Sequence, residues 1–339
     1  MIAAHSLSRH IIAKGHIRAA RPRRDLAAIT DLIAVGFADT LDANGRLMLR
    51  DMRATARWGA LTWTLARGLG VIPPLRGYVW EEEGHIVGNV SLTPTGYGRG
   101  WVVANVVVLP EYRRRGIARA LMEKALEDVA QRGAFAVLQV LQENGAARKL
   151  YQNLGFAEQR AFTRWRRPAF AAETPRPNTT YEVRRLRPKD ASALFALAEQ
   201  ERPNVRGGLG WLRPTRADAL RPPHWFAFAF ATGKLRAHWG IWNTEGTLDA
   251  ALSVEHTLSA LAIYCDTLAR PHSVGRLPLF DALVGFVAQR FTGRTLITEH
   301  PADDEIAAEV WRAHRFYAER TLVHMIWRAP QTGAQKERI

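Results

Sequence analysis

Two periods run through the chain. DLAAITDLIAVGFADT, from Asp25, spaces its apolar residues three and four apart, which predicts an amphipathic helix. LMLRDMRATARWGALTWTLARGL, from Leu47, repeats that spacing and runs into Gly68 and Gly70, which close a helix. RGIARALMEKALEDVAQRG predicts a third helix ending at Gly133, and NGAARKLYQNLG a short fourth ending at Gly155. Between them lie β-branched or alternating runs: IRAAR, the pair GYVWEEEGHIVGNVSLTPT with a turn at Glu83-Gly84, WVVANVVVLP, FAVLQVL and FAEQRAFTRWRR. The order is α/β, with a strand–helix–strand crossover at its centre.

The pattern breaks at PAFAAETPRPNTT, residues 168–180, rich in Pro, Thr and Ala, which reads as a linker. Beyond it the chain resembles its own beginning. IRAARPRRD from Ile17 matches VRRLRPKD from Val183, each a short strand leading to an Asp placed to cap the next helix. YQNLGFAEQR from Tyr151 matches WRAHRFYAER from Trp311. Two tandem copies are expected, over residues 15–167 and 181–329; convergence of two short corners is the alternative.

Composition narrows the setting. A chain of 339 residues with 47% hydrophobic and 23% charged residues belongs to a globular protein of about two domains. Its longest apolar runs carry charges and stop short of a membrane span, and MIAAHSLSRHIIAKGHIR lacks the layout of a secretory signal. The single cysteine, Cys265, lies in the apolar run LSALAIYCDTLA and reads as a buried small hydrophobe. It excludes an internal disulfide and any thiolate metal cluster, and no metal site is expected. A cytoplasmic protein without a membrane partner is the expectation. The formal charge of +15 is concentrated in residues 1–170, with 25 basic and 14 acidic residues against 22 and 18 in the remainder. Such a surface suits an anionic partner, but 41 of the 47 basic residues are arginines scattered along the chain.

The chemistry concentrates where VVANVVVLP meets a helix through EYRRRGIARA. A strand-to-helix turn aims unpaired N–H groups and the positive end of the helix dipole at whatever fills it. Gly116 leaves backbone accessible, and the arginines add positive charge. One glycine alone is not the dinucleotide fingerprint. With Arg113-Arg114-Arg115-Gly116-Ile117-Ala118 here, and Asn144, Ala147, Leu150, Tyr151, Gly155 and Phe156 following in ENGAARKLYQNLGF, the chain resembles the GNAT acetyltransferase superfamily. The resemblance implies two tandem GNAT-like domains, each a mixed, mostly antiparallel sheet flanked by helices. It implies acetyl-CoA as co-substrate and an amine acceptor, whether a small molecule or a protein amine. By position, Arg113 to Arg119, including Ala118, would serve the pyrophosphate, and Val106, Val107 and Val108 would pair with the pantetheine arm. Asn144 would contact the cofactor or order its turn, and Tyr151 would be the general acid that protonates the departing thiolate; a core tyrosine is the plainer alternative.

No general base is assigned. Asn105 is the only polar side chain of WVVANVVV, while Glu81, Glu82, Glu83, His85 and Glu143 read as turn or surface residues. Trp58, Trp63, Tyr78, Trp80 and Tyr97 suit either an acceptor pocket or a core. In the second copy, aligning Gly275 with Gly116 places Leu277 and Pro278 at the positions of Ala118 and Arg119. Proline removes a donor there, Trp311 replaces Tyr151 and Arg315 replaces Gly155, so a degenerate copy is expected. Direct acetyl transfer in a ternary complex stands first, because the first copy has no cysteine nucleophile. A non-catalytic acyl-CoA sensor and a nucleic-acid-binding protein are the rivals, and the oligomeric state is open.

Overall fold

The computed structural model describes residues 15–38, 41, 43–58, 76–95, 98–132, 135–171, 181–203, 215, 217–220, 234–257, 262–270 and 275–329. The described chain divides into two compact units. One holds the residues up to Leu138, with Asn153–Gly155 and the residues from Trp327; the other holds Gln139–Gln152 and Phe156–Ile326.

The first unit contains β1 (His16–Ala19), α1 (Pro22–Gly36), α2 (Ala43–Ala56), β2 (Arg76–Glu82), β3 (His85–Pro94), β4 (Trp101–Val108), α3 (Ile117–Gln131) and the start of β5 (Phe135–Leu141). Its strand order is β1-β2-β3-β4-β5, antiparallel except for the β4–β5 pair. The spacing expected of α1 is realised: Leu26, Ile29, Leu32 and Ile33 are buried, and the last three pack with Leu49, Val79 and Val107. The hairpin between β2 and β3 turns on Glu83 and Gly84, at φ of 51° and 80°. Two left-handed residues between the paired Glu82 and His85 are the geometry a two-residue hairpin loop prefers.

Two boundaries differ from the sequence expectation. Helix α1 begins at Pro22, three residues before Asp25, because proline suits a first helical position. Asp25 therefore does not cap the helix from outside. Its carboxylate accepts the Arg21 N–H at 2.6 Å from within the first turn. Helix α2 begins at Ala43, ahead of Leu47; Trp63, Gly68 and Gly70 lie outside the described residues.

The second unit contains α4 (Gly145–Asn153) up to Gln152, β6 (Ala157–Arg167), β7 (Arg184–Arg185), α5 (Ala191–Glu201), α6 (Ala217–Leu220), β8 (Lys234–Trp242) and β9 (Leu248–Thr257). β10 (Ala262–Ala269), α7 (Arg276–Arg290), β11 (Thr295–Pro301), α8 (Glu305–Ala313) and β12 (Tyr317–Arg328) follow, the last to Ile326. Its strands run β12-β6-β11-β10-β9-β8-β7. Only β10–β11 is parallel among the pairs described. Strand β6, which closes the first sequence copy, pairs with β12 along one edge and β11 along the other. The core gathers Phe280, Leu283, Val284 and Val287 of α7 with Leu252, Ile263, Leu296 and Trp311. Cys265 is buried here, with its thiol pushed up by desolvation, and its Sγ–H donates to the Ile297 carbonyl at 3.5 Å.

Local geometry repeats between the copies. Asp190 accepts the Arg187 N–H at 2.8 Å, as Asp25 accepts that of Arg21. Gly275 stands in left-handed conformation before α7, as Gly116 does before α3. The Phe316 N–H donates to the Trp311 carbonyl at 2.9 Å, as Phe156 does to Tyr151 at 3.0 Å. Of the expected linker, residues 172–180 lie outside the described residues.

Candidate active site

In the first unit, β4 is held to β5 only at its start. Trp101 pairs with Ala136 and Val102 with Val137; beyond Val102, β4 has no strand partner on that side among the described residues. A bulge helps turn the strand away. Asn105 has φ 51°, and the β3–β4 register shifts between Asn89 and Ser91. A buried polar network secures the bulge: the Asn89 amide donates to the Asn105 carbonyl at 2.9 Å and to Ser91 Oγ at 3.2 Å. The two-residue spacing of Asn89 and Ser91 within the stretch IVGNVSL is the sequence signal for this network. Val107 and Val108 are buried and Val106 is half-buried. Their backbone presents peptide groups along an edge that no described strand covers, which suits an extended ligand.

The turn after β4 puts Gly116 at φ 80° as the N-cap of α3. A Cβ built there meets nothing within 4 Å, so the glycine answers to backbone conformation and open space rather than to packing. The first described bond of the helix is from Ala120 N–H to the Gly116 carbonyl at 3.0 Å. The N–H groups of Ile117, Ala118 and Arg119 precede it and have no helical acceptor, as at any helix start. With the dipole behind them, such groups are suited to an anion.

The arginines divide in role. Arg113 Nε donates to the Val108 carbonyl at 3.1 Å and ties the turn to the strand. Arg115 donates to the Glu111 carbonyl at 3.0 Å and lies 4.9 Å over the Tyr112 ring. Arg119 pairs with Glu123 at 2.9 Å along the helix. Arg114, exposed and at φ 59°, has no ion-pair partner among the described residues. Two of the three turn arginines thus brace the turn, and Arg114 is the one whose charge is uncommitted.

Asn144 and Tyr151 belong to the second unit. Asn144 Oδ1 accepts the Ala147 N–H at 3.1 Å, which caps the first turn of α4. Tyr151 is buried, with its ring 5.9 Å from that of Phe156. Desolvation pushes its phenol up to about 12, so it keeps its proton throughout the physiological range.

The carboxylates considered as bases are otherwise engaged or exposed. Glu81 is drawn below the usual range by its hydrogen bond from Arg18, at 2.5 Å. Glu82 lies 3.8 Å from Arg115, Glu83 forms the hairpin turn, and His85 and Glu143 are exposed. Tyr78 and Trp80 are half-buried and Trp58 is exposed, while Tyr97 lies outside the described residues.

In the second copy the corresponding corner is filled from within. The Arg276 guanidinium bonds Glu201 at 2.8 Å, the Ala269 carbonyl at 3.2 Å and the Asp304 carboxylate. His300 Nε2 stands 2.9 Å from the same carboxylate. Burial raises Asp304, but His300 and Arg276 outweigh it and hold the group below the ordinary carboxylate range. Glu201, His300 and Asp304 are close enough to share a cation, yet Arg276 already supplies the positive charge. Trp311 is fully buried, and Arg315 adopts φ 66° where the first copy has Gly155 at 89°.

A sheet whose fourth and fifth strands part around a glycine-started helix fits the GNAT architecture that the sequence resembles. Comparison with known proteins agrees. Residues 48–156 match the model of the acetyltransferase (GNAT) family. The peptidyl-lysine N-acetyltransferase YiaC of Escherichia coli K12 is 38% identical over 81 residues, 24% of this chain and 49% of that protein. The [ribosomal protein bS18]-alanine N-acetyltransferase of the same strain is 42% identical over 55 residues, 16% of this chain and 37% of that protein. The chain therefore spans half or less of these curated relatives. Across its length it resembles the solved structure of a tandem GNAT protein from the clavulanic acid biosynthesis pathway. That match has a TM-score of 0.57 and 19% identity, covering 94% of this chain and 99% of the other. Residues 48–156 thus match the GNAT family, and the chain as a whole has the fold of a tandem GNAT protein. No helix among the described residues is long and apolar enough to cross a membrane.

Proposed function

We propose that this protein is an N-acetyltransferase that moves an acetyl group from acetyl-CoA to an amine, using the first copy, residues 15–167. The observation that carries the reading is the turn at Gly116: a left-handed glycine with open space above it, at the head of a helix whose first N–H groups lack acceptors. The backbone from Arg114 to Arg119 receives the pyrophosphate, with the exposed Arg114 side chain as the counter-charge. The edge at Val106–Val108, which no described strand covers, receives the pantetheine arm. Asn144 orders the turn into α4 and so sets the position of Tyr151.

In the reaction the neutral amine attacks the thioester carbon, the C–S bond breaks, and the thiolate takes a proton from the Tyr151 hydroxyl. The proton lost by the nitrogen leaves through solvent. A phenol held protonated by burial suits this step, because the acid form is present at any working pH. The names of the two relatives make protein amines, either a lysine side chain or an N-terminal alanine, the acceptors to try first. The setting we propose is the cytoplasm.

Titration calorimetry with acetyl-CoA, followed by release of free thiol in the presence of lysine-containing and alanine-initiated peptides, tests the reading. One equivalent bound, with acceptor-dependent thiol release, is the expected result. Binding without turnover across a broad amine panel would leave a sensor, and no binding would sink both.

A further inference from the structure

The second unit carries a cavity of about 560 Å³ remote in sequence from Gly116, between β7, the turn that follows it and the start of β8. That volume is ordinary for a small-molecule site. Its lining is basic. Arg184, Arg185, Arg187 and Lys189 come from the segment Arg184–Lys189, and Arg236 from β8. The single carboxylate among the lining residues, Asp190, is turned onto the backbone N–H of Arg187 at 2.8 Å. Arg236 is paired with Glu255 at 2.6 Å, and Arg184 lies 4.5 Å over the Trp242 ring. Stacking on an aromatic ring leaves a guanidinium its charge and its fork of donors. The cavity wall therefore keeps an excess of positive charge after its internal pairs are made.

One lining residue shows that this is more than a solvated face. His238 is 2% exposed. Its Nδ1 lies 2.7 Å from Ser253 Oγ, and its buried Nε2 has no hydrogen-bond partner. Burial pushes the imidazole down to about 4, so in the free protein the ring is neutral. A buried polar atom without a partner costs free energy, and a ligand group that reaches it recovers that cost. His238 lines a cavity rimmed by guanidinium groups, and in the tautomer where Ser253 donates to Nδ1 its uncommitted Nε2–H is a donor. Arginine forks match the geometry of phosphate oxygens, and an imidazole N–H adds a further donor for one of them.

We propose that this cavity is a binding site for a small molecule bearing clustered phosphates, independent of the acetyl-CoA site. Inorganic tripolyphosphate, a free nucleoside triphosphate and coenzyme A share that chemistry, and the experiment distinguishes them. Titration calorimetry of each into the full-length chain at 150 mM NaCl (a chosen condition, roughly physiological) would be run on three proteins: wild type, Arg187→Glu with Lys189→Glu, and Gly116→Glu. Both residues of the double variant are exposed, so the variant should fold, and circular dichroism verifies this. We expect tripolyphosphate to bind wild type and Gly116→Glu alike, and the double variant at least about tenfold more weakly, as loss of one charged hydrogen bond implies. The His238 ring nitrogens, assigned by their loss in His238→Phe, should shift on binding in the imidazole ¹⁵N spectrum. A nucleoside triphosphate binding more tightly than tripolyphosphate would identify a nucleotide; coenzyme A binding through the same residues would identify a second coenzyme site. Absence of tripolyphosphate binding, equal binding to the double variant, loss only in Gly116→Glu, or a silent His238 would each overturn the proposal. So would duplex DNA binding through Arg187 and Lys189 while tripolyphosphate does not bind.

Discussion

Gly116 and Gly84 provide a matched pair that separates backbone strain from ligand approach. Both sit at φ 80°, and at both a Cβ meets nothing within 4 Å. Alanine at either position therefore clashes with no neighbour and pays only for the left-handed backbone. That strain is about 1–2 kcal/mol, offset by about 0.4–1 kcal/mol because alanine is less free than glycine in the unfolded chain. A net loss on the order of 0.5–1 kcal/mol is expected in each case. Only Gly116 stands at the head of α3, where a methyl group would hold an incoming phosphate off the N–H groups. Losing one charge-assisted hydrogen bond there costs about 1.5–3 kcal/mol, which is on the order of 10- to 100-fold in affinity. Urea denaturation of Gly84→Ala and Gly116→Ala should thus give matching midpoints, while calorimetry with acetyl-CoA should separate them. Equal affinities in the two variants would refute the reasoning, since the turn at Gly116 would then be structural punctuation like the hairpin.

Three other expectations follow from the same geometry. Tyr151→Phe keeps the ring against Phe156, so the fold should hold while kcat falls about 10²-fold or more with KM little changed; steady-state kinetics shows it, and because burial holds the phenol at about 12 the wild type should lose no activity to Tyr151 ionisation below pH 10. Arg18→Met strands the buried Asp25, which Arg18 bonds through two nitrogens at 2.6 and 3.0 Å, and should cost about 3 kcal/mol at pH 7. Burial alone would raise Asp25, but Arg18 and the Arg21 N–H hold it low; wild type therefore gains stability above the unfolded carboxylate range of about 4 and loses it as pH falls through the depressed folded value. In the variant the unpaired acid is relieved by protonation, so the gap between the two proteins should narrow in urea melts at pH 4. Arg315→Gly removes a non-glycine residue from φ 66° and should raise the denaturation midpoint by the equivalent of about 0.5–1 kcal/mol.

Features with a local cause were legible in the sequence. The apolar spacing of Leu26, Ile29 and Ile33 marks α1, Glu83-Gly84 marks a two-residue turn, and Gly116 after a β-branched strand marks a left-handed start to the next helix. What depends on long-range partners was not legible. FAEQRAFTRWRR reads as a strand, but nothing in its alternation names β11 and β12 as neighbours. Arg276 lies 75 residues from Glu201 and 28 from Asp304, so no window of sequence displays the cluster that fills the second copy. Asp25 looked like a cap because Asp is a common one; its actual position follows from Pro22, which starts the helix earlier. His238 alternates with apolar neighbours in β8, and only the structure reveals that one of its nitrogens is orphaned.

Strand β6 ends the first copy, yet both of its edges are bonded by strands of the second. A chain cut at residues 168–180 would leave those edges bare, a row of N–H and C=O groups open to any other strand in the cell. Duplicated genes usually leave a spare that drift can delete. Here deletion would take away the walls of the surviving copy's last strand, so the second copy is kept whether or not it retains any chemistry. Its turn at Gly275 and its corner from Trp311 to Arg315 are free to change, and the strands that bond β6 are not.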